Sequence, residues 1–263
     1  MVYSVWLPKS DFFQRLLTTV VAVPAVVYIV LQKPIYLQML MLCIAFGVFR
    51  EWSRLAFTKA SHVMNYVCLA LLSLMFVPNF FTTALFCVAL SCLCFYLLQR
   101  KQIKNAFIVM TGYLYLTLSL AILIHIFPFI YGSSFVLLIL VMIWLVDIGA
   151  FLVGKTLGGP KLAPSISPNK TWSGFFGGIM ISSIGTWVLY HFLNLESLPY
   201  FGAFVLIALP LAQVGDLLES WCKRYFNVKD SGSFLPGHGG LLDRLDSIFA
   251  VSFAIVFWWY LCK

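Results

Sequence analysis

The sequence predicts an all-α, polytopic integral membrane protein of about nine transmembrane helices with a cytoplasmic N-terminus, and three observations carry that prediction. Of 263 residues, 62% are apolar and only 10% charged, against about 25% charged in a soluble domain. Such a chain could not cover itself with a hydrated surface, so lipid must be its main solvent. The apolar residues gather into nine runs, at 16–31, 35–49, 63–77, 80–98, 106–127, 135–153, 172–193, 200–218 and 245–262. Finally, fifteen of the seventeen Lys and Arg residues fall in alternate connections, with only Lys33 and Lys263 on the other side. By the positive-inside rule the N-terminus and those connections are cytoplasmic and the C-terminus is outside.

Taken in order, the first run follows Arg15, has no small-residue cleavage site behind it, and is read as a retained span and not a signal peptide. Pro24 in this run and Pro210 in the eighth are tolerable because neighbouring helices can re-satisfy the freed carbonyls. The second run ends at Arg50-Glu51-Trp52, where Glu51 is read as an interfacial ion pair with the flanking arginines. Several of the early runs are shorter than a comfortable crossing and extend into their polar flanks or lie at an interface. The sixth carries Asp147 near its inner end, and the seventh follows Ser167-Pro168, which looks like an N-cap with proline at the first helical position. The eighth ends at Gly215-Asp216, and the ninth opens on Asp243-Arg244-Leu245-Asp246. Trp6, Trp52, Trp258 and Trp259 suit interfacial anchoring. Seven cysteines contain no Cys-x-x-Cys and are read as packing residues. His62, His125 and His191 are read as structural or interfacial.

Function concentrates at one end of the chain. Nine acids are present and five of them lie between 216 and 246, where a carboxylate near a bilayer is costly and marks a candidate site. Residues 1–105 are therefore read as an N-terminal transmembrane scaffold and 106–263 as the catalytic region of a single membrane domain. Its two cytoplasmic loops are at 154–171 and 219–244.

The first loop, from Gly154-Lys155 through Gly158-Gly159-Pro160-Lys161 to Ser167-Pro168-Asn169-Lys170-Thr171, combines close backbone approach with point charge, the ingredients of a phosphate cradle at a helix N-terminus. It lacks the spacing of a Walker A loop. In the second loop, Glu219 can pair with Lys223 at i, i+4, and Asp243 or Asp246 with Arg244. Pairing alone does not explain the cluster around Pro236-Gly237-His238-Gly239-Gly240. Runs eight and nine are antiparallel, so Asp216 and the Asp243/Asp246 pair reach one cytoplasmic level, and the spacing of three puts that pair on one helical face. Carboxylates converging from two helices suit magnesium, with substrate phosphates completing its octahedron, and Asp147 is a possible fourth member.

The string Ser220-x-x-Lys223-Arg224-x-x-x-x-Lys229-Asp230-x-Gly232-x-x-Leu235-Pro236-x-His238-Gly239-Gly240-x-x-Asp243-Arg244-x-Asp246 resembles the signature of the phosphatidate cytidylyltransferases, the CDP-diacylglycerol synthases. The likeness extends to Asp147-Ile148-Gly149-Ala150, to the 154–170 loop with its Ser-Pro-x-Lys-Thr-Trp segment, and more weakly to Arg15, Pro24 and Arg50-Glu51-Trp52. Ser173 stands where relatives often carry Glu. The resemblance implies an enzyme of phospholipid biosynthesis that transfers CMP from CTP to phosphatidate, releasing pyrophosphate. It further implies a bacterial inner membrane, a cytoplasmic site, magnesium with a second cation as an option, and a homodimer. No nucleic-acid partner is expected.

On that basis Asp216, Asp243 and Asp246 are assigned to magnesium, and Lys223, Arg224, Lys229 and Arg244 join them as catalytic residues that hold phosphates. Lys155, Lys161, Ser167, Lys170, Thr171, Ser220, His238, Gly239 and Gly240 are assigned to substrate binding, with His238 either donating to a phosphate or fixing the turn. Two other readings compete: a CTP-dependent lipid-alcohol kinase of the polyprenol type, and an anionic-solute transporter. A transporter's charges should lie near mid-bilayer, whereas these cluster at the cytoplasmic edge.

Overall fold

A computed structural model describes residues 9–56, 106–125, 132–232, 234 and 239–262. Among them are the helices α1 (Lys9–Val30), α2 (Pro34–Ala56), α3 (Ala106–His125), α4 (Gly132–Leu157), α5 (Trp172–Phe192), α6 (Phe201–Tyr225) and α7 (Leu242–Leu261). A two-stranded antiparallel hairpin, β1 (Lys161–Ala163) and β2 (Ser167–Thr171), joins α4 to α5. Among the described residues, six helices, α2 to α7, are long and apolar enough to cross a membrane, and Thr18–Val30 of α1 is a shorter apolar stretch. The protein is an all-α integral membrane protein. The expected runs 63–77 and 80–98, and the boundary at 105, lie outside the described residues, so a count of nine crossings is not established.

Lipid explains both faces of these helices. Buried residues such as Phe135, Leu138, Ile139, Met142 and Val146 line the inner face of α4, and Phe176, Met180, Ile184, Trp187 and Phe192 of α5 stay exposed. Large apolar side chains left open in this number are at home only in hydrocarbon. Because lipid gives no hydrophobic drive for helix association, packing depends on close backbone approach and interhelical hydrogen bonds. The α4–α5 joint uses the first device: a Cβ at Gly178 would lie 2.7 Å from the Val146 carbonyl oxygen, and one at Gly174 would lie 2.6 Å from that of Ala150. The second device recurs through the bundle. Ser182 donates to the Met142 carbonyl at 2.7 Å, Gln213 to Phe175 at 2.8 Å, and Ser119 to Phe249 at 3.1 Å.

Two of the tryptophans expected at the interface are core residues instead. Trp52 packs against Gly112 and donates its indole N–H to the Val109 carbonyl at 3.1 Å. Trp258, 1% exposed, stacks on Phe135 and donates to the Pro199 carbonyl at 2.8 Å. That bond pins the C-terminal end of α7 beside the α5–α6 connection. The connections α4–α5 and α6–α7 therefore share the opposite face, as the basic residues predict. His191 pairs with Glu196 at 2.8 Å in an exposed position, in keeping with a role outside the site.

Candidate active site

The helices run further than the apolar runs indicate, and this repositions most of the charged residues. Helix α4 continues to Leu157, so Gly154 and Lys155 belong to its last turns and not to a loop. Likewise Glu219, Ser220, Lys223 and Arg224 ride the last turns of α6, and Asp243 and Asp246 the first turns of α7. A further expectation is overturned: Ser167 and Pro168 do not begin a helix. They lie in β2, where Ser167 pairs with Ala163 and Thr171 with Lys161 around an irregularity in register. Proline, which cannot donate to a ladder, is tolerated in such an edge position. The helix cap is Thr171, whose hydroxyl oxygen accepts from the Gly174 N–H at 3.1 Å. Ser173 links the cap to the preceding turn, lying 3.0 Å from the Thr171 hydroxyl and donating to the Gly158 carbonyl.

Between these helix ends lies a cavity of about 730 Å³. Its wall includes Asp216, Lys223, Asp243, Arg244 and Asp246 of the expected catalytic set, and Lys155, Lys161, Lys170 and Thr171 of the expected binding set. Asp147 and Glu219 join them. Helix packing produces this meeting: a Cβ at Gly215 would sit 2.7 Å from the carbonyl oxygen of Asp246, so α6 and α7 touch through backbone beside both acids. Lys170 from β2 reaches across to Asp216 at 2.6 Å, closing the cavity from the α4–α5 side. Asp216 also accepts from the Ser220 hydroxyl at 3.4 Å, so Ser220 supports the acid from outside the wall. The Lys155 ammonium lies 5.5 Å from the centre of the Phe151 ring.

The acids divide into two groups. Asp147, Asp216 and Asp246 share the cavity wall, with Lys170 paired to Asp216. Asp243 belongs elsewhere: one of its oxygens meets the Lys223 ammonium at 2.7 Å, and the other accepts from the Gly240 N–H at 2.9 Å and the Ser231 N–H at 3.1 Å. Lys223 also holds Glu219 at 2.6 Å, with both side chains largely buried. The i, i+4 pair expected from the sequence is therefore present, extended into a triad. Since Asp243 is engaged on both oxygens, its contacts favour a task in shaping the loop over the metal role the sequence reading gave it.

Other expected residues fall outside the wall. Arg224 donates to the carbonyls of Ile166 and Val228 at 3.4 and 3.3 Å, bracing the hairpin against the chain that follows α6. Lys229 is exposed, and Ser167, Gly239 and Gly240 do not line the cavity. His238 lies outside the described residues.

Glu51 is the correction with the widest reach. It is 3% exposed and makes no interfacial pair with Arg50 or Arg54 among the described contacts. Its oxygens accept from the backbone N–H groups of Leu241 and Leu242, at 2.9 and 2.8 Å, and from the Ser231 hydroxyl at 3.1 Å. A signal was available in the sequence: Asp11 and Glu51 are the only acids before Asp147, and a lone acid in apolar sequence needs a buried partner.

Fold and site define a polytopic α-helical membrane protein with a charge-lined cavity where its helix ends meet at one membrane face. Within that class the chain belongs to the cytidylyltransferase family, whose model matches residues 13–262. It is 34% identical over 249 residues to the phosphatidate cytidylyltransferase of Rickettsia bellii, a match covering 91% of this chain and 87% of that one. Stronger but shorter matches join it to the phosphatidate cytidylyltransferases of Staphylococcus epidermidis, 47% over 121 residues, and Bacillus subtilis, 48% over 124 residues. In these two the chain spans about half the relatives' length, 46% and 45%.

Proposed function

We propose that this protein is a phosphatidate cytidylyltransferase, joining CTP to phosphatidate to give CDP-diacylglycerol and pyrophosphate at the cytoplasmic face of a bacterial inner membrane. The observation that carries this reading is the cavity itself, where Lys155, Lys161, Lys170 and Arg244 share one wall with Asp147, Asp216 and Asp246 at the ends of lipid-embedded helices. A phosphate monoester carries about −1.5 to −2 near neutral pH and must approach a triphosphate, so repulsion is the main obstacle to assembly. The four basic side chains answer it.

In the reaction a phosphatidate oxygen forms a bond to the α-phosphorus of CTP while the bond from that phosphorus to the bridging oxygen breaks and pyrophosphate leaves. The attacking oxygen is already anionic, so positioning and charge neutralisation supply the catalysis and no strong general base is needed. Lys170, held by Asp216 at 2.6 Å, brings positive charge to the cavity wall. Arg244 and Lys161 add fixed positive charge from α7 and β1.

Among the described residues no three His, Cys, Asp or Glu side chains are grouped closely enough to hold a metal ion alone. Magnesium commonly takes only one or two protein carboxylates and leaves its other positions to water and phosphate. Asp216 and Asp246, with Asp147 beside them, fit that requirement because they line one cavity wall where α6 and α7 touch through backbone. When bound there, magnesium would supply charge neutralisation to the triphosphate.

The test is incubation of the purified protein in detergent with cytidine-labelled CTP, phosphatidate and magnesium. Label should pass into the lipid phase. Label remaining in water, with phosphate transferred to a lipid alcohol, would replace this reading by that of a kinase.

A further inference from the structure

We propose that Glu51, on α2 in the N-terminal half of the chain, is a positioning residue for the α6–α7 connection and the acids it presents. The proposal rests on the reading of the cavity as the catalytic site, but its geometry does not depend on the substrate. Helix α7 opens with backbone N–H groups that have no partner within the helix. Glu51 takes those of Leu241 and Leu242, and Asp243 takes that of Gly240. The same two carboxylates also grip Ser231 within the connection, Glu51 by its hydroxyl and Asp243 by its N–H. Two acids, from helices far apart in sequence, thus hold Ser231 of the connection against its last residues and the start of α7.

The connection is built to close on Glu51. A Cβ at Gly232 would lie 2.6 Å from one Glu51 oxygen, and a Cβ at Gly240 would lie 2.7 Å from the other and 1.9 Å from the Ser231 hydroxyl. Glycine at 232 and 240 therefore lets backbone pass against the carboxylate, which explains these positions without phosphate contact. A negative charge at the opening of α7 is also favoured by the helix dipole. Glu51 is absent from the cavity wall, whereas Asp243, Arg244 and Asp246 are part of it and all begin within one turn of the amides it holds. It acts through them.

The experiment compares wild type, Glu51→Gln and Ser231→Ala, purified in detergent, by amide hydrogen exchange and by cytidylyl transfer. Glu51→Gln keeps size and reach but replaces one acceptor by a donor facing a backbone N–H. Amides of the α6–α7 connection should exchange roughly tenfold faster with α4 and α5 unchanged, and kcat should fall about a hundredfold with the KM for CTP nearly constant. Ser231→Ala should show the same local pattern at smaller size, and the double variant should lose less than the product of the two. Wild-type exchange and wild-type kcat in Glu51→Gln would overturn the proposal. If Glu51→Gln loosens every helix, Ser231→Ala decides: faster exchange confined to the connection supports the role, and no change overturns it. Absence of cytidylyl transfer by wild type would defeat the enzymatic reading alone, since exchange still reports the positioning.

Discussion

Helix pairs α4–α5 and α6–α7 both deliver residues to the cavity, yet they are joined in contrasting ways. In α4–α5 the contact is backbone on backbone, through Gly174 and Gly178 against the carbonyls of Ala150 and Val146. In α6–α7 one such contact, at Gly215, is followed toward the membrane face by buried charge, with Lys223 bridging Glu219 and Asp243. A steric joint is all-or-none because a methyl group has nowhere to go. A charged joint is graded, because each partner can be neutralised or replaced separately. The first suits a fixed wall that carries Lys170 on its hairpin, and the second suits the adjustable charge that the proposed phosphate chemistry requires.

The largest effect that would break this contrast is at Gly178. Gly178→Val puts branched carbon into the 2.7 Å gap to the Val146 carbonyl, and overpacking of this kind costs about 3 kcal/mol or more. Folded, monodisperse protein should be lost on size-exclusion chromatography. Recovery with an unchanged thermal midpoint would show that the helices do not touch there.

Next come the acids of the charged joint. Asp216→Asn and Asp246→Asn should each lower turnover by about a hundred- to a thousandfold while leaving the thermal midpoint near wild type. If the two serve one cation, the double variant should lose little more than either alone. Asp216 with Asp243 should instead approach additivity, since Asp243 is committed to Lys223 and the loop amides. Additive losses for Asp216 with Asp246 would refute the shared role.

Lys223→Gln should act mainly on stability. It leaves Glu219 and Asp243 facing each other in a largely buried site, and removing one member of a buried ionic group costs about 3 kcal/mol. Adding Glu219→Gln should restore part of the midpoint. A melting curve unchanged by Lys223→Gln would mean that the triad is not a structural joint.

The smallest effect is expected at Arg224. Its long hydrogen bonds to two carbonyls at an exposed position predict that Arg224→Gln changes kcat and KM by about fivefold or less. A much larger rise in the KM for CTP would return Arg224 to the phosphate-binding role read from the sequence.

The membrane habit, the helical class, the shared face of the two charged connections and the identity of most cavity residues were all determined by the sequence alone. The reason is that the cost of charge in lipid and the length of an apolar run are local properties, legible without knowing any partner. Asp216 and Asp246 stand out in this way because a carboxylate at the end of an apolar run is costly and marks a candidate site. Division of labour was decided only by the tertiary structure. Spacing of three placed Asp243 and Asp246 on one face, yet the connection folds back over the start of α7 and draws Asp243 away to Lys223 and two amides. Asp147 joins Asp216, Asp243 and Asp246 in the cavity wall from α4, which lies against α5 at glycine distance. The cap moved from Ser167 to Thr171 because β2 pairs with β1, a choice made by a partner strand and not by the local Ser-Pro signal. Glu51 shows the limit most plainly: its partners lie 180 to 191 residues along the chain, and no local pattern on α2 encodes which loop will arrive to use its oxygens.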